Sequence, residues 1–171
     1  MAALNKNRCY LFGAIDRAPD RGYGWRIEFA EFLESLGIIT YNPLSNDGNS
    51  SKSAYWREKH KKSGDWYNFI PMMENLAAKD FGMLNRCDFA VGYIDINIPM
   101  CGTYMELQKL VDQNKPRLIV CKQGIQSIPD FIFSSTPVDW MFPSFDDLKL
   151  YLTEIDSGIQ RPLYDKFLFF G

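Results

Sequence analysis

The sequence predicts an α/β fold in which one parallel sheet of about five strands is covered by helices on both faces. The length of 171 residues suits a single domain. Short apolar segments alternate with longer segments in which apolar residues recur every three or four positions, as in strands alternating with helices. Glycine, proline and asparagine separate these segments. Ligands of such sheets bind beyond the C-terminal ends of the strands, so we expect functional residues in the segments that follow the strands.

The first forty residues predict a strand, a helix and a second strand. Residues 8–14 form a short apolar segment typical of a buried strand. After a loop rich in glycine, aspartate and arginine, apolar residues recur at helical spacing over residues 25–36. Gly37 then occupies the position that glycine favours just beyond a helix. Residues 38–41 predict the second strand.

The middle of the chain predicts two helices on either side of a third strand. Residues 45–70 are first polar and then basic and aromatic, and they differ in character from their surroundings. Pro71 fits the first turn of a helix that continues to residue 86. Residues 88–94 carry the apolar run of a third strand, and a further helix is expected over residues 102–114.

The last third of the chain predicts the remaining elements of the same sheet. Residues 117–121 predict a fourth strand, and residues 138–142 a short fifth one. Residues 144–155 predict a helix, because a serine and two aspartates occupy its first positions. The tail over residues 157–171 is rich in tyrosine and phenylalanine, and we expect it to pack on its own domain or on a partner subunit. With neither an internal repeat nor a domain boundary, the whole chain is predicted to be one domain.

Composition excludes several classes of protein. Hydrophobic residues make up 46% of the chain and charged residues 23%, as in an ordinary globular protein. The net charge of −2 does not suit a binder of polymeric nucleic acid, and the apolar runs are too short for a membrane span. The N-terminus lacks a secretory signal, so reduced thiols and a cytoplasmic location are expected. The four cysteines have no paired spacing and the only histidine is His60, which predicts no metal site.

Two carboxylates are the first candidates for chemistry. Glu106 lies one turn into the helix that follows the third strand, which places it at the ligand edge of the sheet. It is either a solvated residue of a first helical turn or a catalytic group. Asp80 lies on the preceding helix beside an apolar stripe, so it is a boundary residue or a functional one. Burial would raise its pKa and allow it to donate a proton.

Residues around the ends of the first and third strands are further candidates. Gly13 follows the first strand and lets the backbone approach a ligand closely, with Asp16 in the same loop. This segment is neither a dinucleotide-binding glycine motif nor a phosphate-binding loop. Asp88 opens the third strand on the far edge and is interpreted as a turn residue. Asp95 ends that strand on the ligand side and is the better functional candidate.

The basic run over residues 57–62 has two interpretations. A solvated helix face is the simpler one, because such charge runs are common on surfaces. The alternative is phosphate recognition from a mobile lid.

Four short segments also occur in a characteristic order and spacing. They are Tyr-Leu-Phe-Gly at residues 10–13, Lys-Asp-Phe-Gly-Met-Leu-Asn at 79–85, Cys-Asp-Phe-Ala-Val-Gly-Tyr at 87–93 and Gly-Thr-Tyr-Met-Glu-Leu at 102–107. Together they resemble the nucleoside 2-deoxyribosyltransferase superfamily over about residues 8–122. That family includes transferases that exchange nucleobases and hydrolases that cleave deoxynucleoside monophosphates.

The resemblance implies a flavodoxin-like, doubly wound fold and a specific chemistry. Glu106 matches the nucleophile that attacks C1′ of the sugar, and Asp80 matches the carboxylate that engages the leaving base. A retaining pair of this kind holds its carboxyl groups about 5 Å apart, with one ionised and the other protonated. The partners implied are a small-molecule nucleoside or nucleotide and a nucleobase, with no cofactor, and a homo-oligomer is expected. The substrate-binding residues expected are Tyr10, Phe12, Gly13, Asp16, Trp56, Arg57, Asp95, Gly102 and Thr103.

The sequence departs from the family pattern in three places. Met100 stands six residues before Glu106, where transferases tend to carry an aspartate and the monophosphate hydrolases a serine; Thr103 is the nearest hydroxyl. The segment 45–70 is longer than the usual connection, which predicts a lid. The family's transferases can use a neighbouring subunit's C-terminal carboxylate, a role open to the tail. The lid would offer aromatic rings for base stacking and cations for phosphate: Trp56, Trp66, Tyr67, Arg57 and Lys59.

The leading hypothesis is a 2-deoxyribosyltransferase that forms a covalent glycosyl-enzyme on Glu106. The first alternative is a deoxynucleoside 5′-monophosphate N-glycosidase, which the basic segment would suit. A second alternative is a non-catalytic nucleotide-binding module on the same fold, and a third is an assembly protein whose aromatic tail drives oligomer formation.

Overall fold

Five strands pair in one all-parallel sheet in the order β2-β1-β3-β4-β5, which confirms the predicted fold class. The computed structural model describes residues 3–159; the predicted role of the tail therefore lies almost wholly outside the described residues. Paired residues such as Gly13 with Tyr93, and Ile94 with Cys121, align the C-terminal ends of the three central strands at one edge. The strands are β1 (Arg8–Gly13), β2 (Ile39–Tyr41), β3 (Phe89–Ile94), β4 (Arg117–Cys121) and β5 (Met141–Phe142).

Helices cover both faces of this sheet. Apolar residues of α1 and α5 pack on one face, and those of α3 and α4 on the other. The second helix, α2, packs against α3. No helix within residues 3–159 is both long enough and apolar enough to cross a membrane. The helices are α1 (Tyr23–Ser35), α2 (Ser51–Ser63), α3 (Trp66–Arg86), α4 (Cys101–Asp112) and α5 (Phe145–Asp156).

Alternation along β1 decides which side chains face the catalytic candidates. Cys9 and Leu11 enter the core beneath α1 and α5, whereas Tyr10 and Phe12 enter the core beneath α3 and α4. A Cβ atom at Gly92 would lie 2.2 Å from the Phe12 ring, so only glycine leaves room for that ring in the sheet. The alternation of side chains along β1 likewise places Tyr10 on the face of the sheet that carries α4.

Two predicted boundaries are wrong. The helix expected from Pro71 begins five residues earlier, because the Asp65 side chain caps it by accepting a hydrogen bond from the amide of Asn68. Pro71 therefore lies inside α3. In the predicted fifth strand, residues 138–140 instead form a 3₁₀ turn, and only Met141–Phe142 pairs with β4.

The segment 45–70 is more ordered than a polar loop. It contains the end of one short 3₁₀ turn, a second such turn at Asp47–Asn49, the whole of α2 and the start of α3. Its function as a lid stays a prediction.

Candidate active site

Glu106 is held against β1 by a short hydrogen bond. It lies on α4 directly after the third strand, and Tyr10 donates its hydroxyl proton to Oε1 of Glu106 at 2.5 Å. Burial first, and then the nearby charge of Asp80, raise the pKa of Glu106 to about 7. The Tyr10 hydrogen bond and the positive charge of Arg26 act in the opposite direction. Glu106 therefore titrates near neutral pH, unlike an ordinary solvated glutamate.

Asp80 is anchored by amides from the loop that follows β2. Asn46 Nδ2 donates to Oδ1 of Asp80 at 3.0 Å, and Asn49 Nδ2 lies 3.4 Å from Oδ2. Burial raises the pKa of Asp80, as expected from its apolar surroundings, while the two amides and the charges of Arg26 and Arg57 oppose the rise. The same carboxylate is thus partly desolvated and firmly oriented.

Arg26 places a positive charge within the electrostatic reach of both acids. It lies on α1 and is fully buried. The pKa of Arg26 is lowered to about 10 because the effect of burial exceeds the opposing effect of the charges of Glu106, Tyr10, Asp20 and Asp80. The guanidinium remains protonated at neutral pH, so two protonatable carboxylates share one buried cation.

Asp95 is committed to neighbours of its own. It accepts hydrogen bonds from Lys122 Nζ at 2.8 Å, Gln123 Nε2 at 2.6 Å and the amide of Asn97 at 3.1 Å. These partners, Lys122 first, lower the pKa of Asp95 despite its burial. The thioether sulfur of Met100, the residue just before α4, accepts a hydrogen bond from the backbone amide of Asp95. The carboxylate is oriented as part of the turn after β3.

Arg57 departs from the solvated-face interpretation of residues 57–62. Its side chain is buried, pairs with Asp16 at 2.9 Å and donates to the carbonyl of Gly48. The other basic residues of that run mostly face solvent, as the simpler interpretation expects. Trp56 is partly exposed, with its ring 5.8 Å from that of His60 and beneath the ammonium group of Lys59.

The remaining predicted residues fall into two groups. Gly13 and the start of α4, with exposed Gly102 and buried Thr103, lie at the edge that carries Glu106. Phe12 is fully buried against Gly92 and therefore supports the sheet instead of offering a surface to a ligand.

Two cavities are lined by neither Glu106 nor Asp80, although Asp95 lines the smaller of them. One of about 340 Å³ is bordered by the loop after β1, by Trp25 and by the ends of β3 and β4. Another of about 600 Å³ lies at the start of α3 and includes Trp66 and Tyr67, the aromatic residues expected in a lid. Within residues 3–159, no group of three or more histidine, cysteine, aspartate or glutamate side chains is arranged to hold a metal ion.

Solved structures of other proteins resemble this one. The chain has the fold of known 2-deoxyribosyltransferases. The enzyme from the psychrotolerant bacterium Bacillus psychrosaccharolyticus aligns with a TM-score of 0.60 and 18% identity, over 83% of this chain and 90% of that one. The enzyme from Leishmania mexicana aligns with a TM-score of 0.56 and 16% identity, over 86% and 97% of the two chains. No protein-family model matches the chain, and no curated protein matches it significantly.

Sequence reasoning missed three residues that surround the carboxylates of this 2-deoxyribosyltransferase-like fold. Asn46 and Asn49 lie in the polar first part of the segment 45–70, which was predicted to be a lid, and neither was a candidate site residue. Arg26 had a usable signal, because it shares a helical face with the apolar residues Phe29 and Leu33. A charge within an apolar stripe indicates a buried ion, and such ions concentrate at functional sites.

Proposed function

We propose that the chain is a member of the nucleoside 2-deoxyribosyltransferase superfamily that cleaves the N-glycosidic bond of a 2′-deoxynucleoside and transfers the deoxyribosyl group to another nucleobase. The observation that carries this proposal is the Tyr10–Glu106 hydrogen bond at the ligand edge of the sheet, with Asp80 close enough to raise the pKa of Glu106. The shared fold of two enzymes of this activity supports it.

In the first half-reaction the two acids share one proton. Asp80 carries it, so Asp80 no longer places a charge near Glu106, and Glu106 is ionised. The ionised carboxylate of Glu106 attacks C1′, a bond forms between its oxygen and C1′, and the bond from C1′ to the base nitrogen breaks. The electron pair of that bond stays with the base, which receives a proton from Asp80. The products are a covalent glycosyl-enzyme and a neutral base.

The second half-reaction reverses these steps with a new base. A nitrogen of the incoming base attacks C1′, Glu106 leaves as a carboxylate, and Asp80 takes up the proton that the base loses. The Tyr10 hydroxyl stabilises Glu106 as a carboxylate in the free enzyme, and it is in position to do so again as the carboxylate departs.

A mass spectrum of the intact protein tests the covalent step. A 2′-fluorinated deoxynucleoside slows release of the sugar, so brief exposure should add the mass of one fluorinated sugar, and peptide mapping should locate it on Glu106. The matched Glu106→Gln variant should gain no mass. An adduct on another residue, or steady turnover without any adduct, would contradict the proposal.

The contacts of Arg57 support an unphosphorylated substrate over a nucleoside monophosphate. Arg57, the buried arginine of the segment 45–70, is already engaged by Asp16 and by the carbonyl of Gly48. A deoxynucleoside and its 5′-monophosphate, each assayed with and without a second base, separate the alternatives. Free sugar released from the monophosphate without exchange would support the hydrolase instead, and binding without any turnover would support a non-catalytic module.

A further inference from the structure

Arg26 binds the carbonyl groups at both ends of the loop between β1 and α1. Its Nη2 donates to the carbonyl of Gly13 at 2.8 Å, and its Nη1 donates to those of Gly22 at 3.0 Å and Ala14 at 3.4 Å. Gly13 ends β1, three residues beyond Tyr10, and Gly22 immediately precedes α1. One side chain therefore closes the loop on itself and ties it to the strand that carries the Glu106 partner.

The backbone is shaped to admit this guanidinium. A Cβ atom at Gly22 would lie 2.1 Å from Nη1 of Arg26 and 2.6 Å from the carbonyl oxygen of Ala14. Gly22 also has a φ of 71°, in the left-handed region that glycine adopts most readily. A Cβ atom at Gly13 would meet Nη2 of Arg26 at 3.4 Å. Both glycines thus leave space that the arginine side chain fills.

The charge of Arg26 lacks a direct counter-ion. Its side chain is fully buried, no carboxylate of residues 3–159 lies within ion-pair distance of it, and its Nε has no hydrogen-bond partner among those residues. A buried charge satisfied only by carbonyl groups is costly for a protein that needs it solely as a loop clip. A neutral donor could bind the same carbonyls, so the retained charge calls for an electrostatic role.

We propose that Arg26 is a positioning residue of the proposed active site, which clamps the loop after β1 and supplies a buried positive charge that favours the ionised form of Glu106. This inference rests on the proposed function only for its catalytic consequence. The groups that act on Glu106 are Tyr10 from β1, Asp80 from α3 and Arg26 from α1, and of these only Arg26 is a cation. Its positive charge lowers the pKa of Glu106, and Glu106 is the largest of the influences that raise the pKa of Arg26.

Substitution of Arg26 separates its charge from its hydrogen bonds. Arg26→Gln keeps an amide donor but removes the charge, whereas Arg26→Lys keeps the charge with a single donor group. Arg117→Gln is the matched control, because Arg117 is also a buried arginine that donates to backbone carbonyls. It opens β4 at the opposite edge and donates to Thr136 Oγ1 and to the carbonyls of Lys115 and Ser135.

Two measurements are made on each variant. One is a ¹³C nuclear magnetic resonance titration of the Glu106 carboxyl, whose signal is assigned by its loss in Glu106→Gln. The other is the dependence of the rate of deoxyribosyl transfer on pH. We expect Arg26→Gln to raise the pKa of Glu106 by about one unit, a tenfold loss of the ionised form at a fixed acidic pH. The acidic limb of the transfer rate should move by the same amount. Arg26→Lys should move both by less than about half a unit while lowering the rate through the weakened clamp. Arg117→Gln should leave both in place.

An unchanged Glu106 titration in Arg26→Gln, or equal shifts in the lysine and glutamine variants, would overturn the proposal. If Arg26→Gln does not fold, the lysine variant alone decides: a lowered rate with an unmoved titration supports the clamp and charge together, and a shift of a full unit refutes them. The titration needs no substrate. A protein that turns over no deoxynucleoside would therefore defeat the proposed function while leaving the inference on Arg26 to be judged separately.

Discussion

The two ends of the sheet treat their carboxylates in opposite ways. At the N-terminal end, Asp88 accepts hydrogen bonds from the backbone amide, Nε and Nη2 of Arg8 at 2.7, 3.0 and 2.7 Å. The Arg8 side chain lowers the pKa of Asp88, so that carboxylate is charged throughout the physiological range. At the C-terminal end, Glu106 is bound by the neutral hydroxyl of Tyr10 and titrates at a pKa of about 7.

The difference shows what distinguishes a structural carboxylate from one available for chemistry. The charge of Asp88 pairs with Arg8 and so links the start of β3 to β1, which agrees with its interpretation as a structural turn residue. Glu106 can gain or lose a proton near neutral pH, because its desolvation is only partly offset by the Tyr10 hydroxyl and the charge of Arg26. Position at the C-terminal edge does not by itself make a carboxylate available for chemistry. Asp95 lies at that edge, yet it is paired with Lys122.

Glu106→Gln is the largest test of this contrast. Glutamine is isosteric and can still accept the Tyr10 hydrogen bond, but it is not a nucleophile, so transfer should fall by about 10⁴-fold with the fold retained. Steady-state transfer between two bases measures it, with circular dichroism to check folding. The control Asp88→Asn should keep nearly full activity. A Glu106→Gln variant with more than a tenth of the wild-type rate would place the chemistry elsewhere.

Asp80→Asn should lower the transfer rate by about 10²- to 10³-fold, because the leaving base loses its proton donor. The loss should depend on the base. A deoxynucleoside whose base leaves without protonation should recover most of the rate in Asp80→Asn and none in Glu106→Gln. Asp112→Asn, at the exposed end of α4, is the control. Equal loss with both kinds of leaving base would remove Asp80 from the acid role.

Sequence patterns predicted the sheet well because each strand or helix is indicated by residues that are close together in the chain. Buried strands such as β1 and β4 are short apolar runs, and the helices between them have regular apolar spacing. The boundaries that failed depended on single interactions. The Asp65 cap makes α3 begin before Pro71, and a 3₁₀ turn takes up most of the predicted fifth strand.

Glu106 could be assigned to the C-terminal edge of the sheet because it lies on the helix that follows a strand, whereas Asp80, on the helix before that strand, was indicated by its apolar neighbours. The surroundings of the two carboxylates could not be predicted. The amides of Asn46 and Asn49 reach Asp80 across more than thirty positions of chain, and the partners of Arg26 are backbone carbonyls, which carry no sequence signal. Likewise, the pairing of Arg57 with Asp16 depends on how α2 folds back over the loop after β1.

The pH dependence of stability should distinguish the two edges. The folded-state pKa of Glu106, about 7, exceeds its ordinary value of 4.5, so its contribution to stability is present below pH 4.5 and is lost as pH rises through 7. The free energy of unfolding of Glu106→Gln, relative to that of the wild type, should therefore rise by about 2 kcal/mol from pH 5 to pH 8. Chemical denaturation at the two pH values measures this gain.

Asp88→Asn provides the opposite sign for that comparison. Because its folded-state pKa lies below the ordinary 3.8, the stability from Asp88 is present above that value and is lost as pH falls through the folded-state pKa. The variant should therefore be destabilised by about 1 kcal/mol equally at pH 5 and pH 8, a modest loss because the pair is partly exposed. The proposed contrast between the two edges would be wrong if the stability difference between Asp88→Asn and wild type depended on pH, or if that of Glu106→Gln did not.

Tyr10→Phe should have the smallest effect and the most diagnostic one. Removing the hydroxyl withdraws the hydrogen bond that lowers the pKa of Glu106, so that pKa should rise and the acidic limb of the transfer rate should move to higher pH. The rate at neutral pH should fall about tenfold, a typical cost for one hydrogen bond to a charged group. Tyr151→Phe, in the core on the opposite face, is the control and should leave the limb in place. If Tyr10→Phe slows transfer equally at every pH, the hydroxyl acts on the substrate and not on the protonation of Glu106.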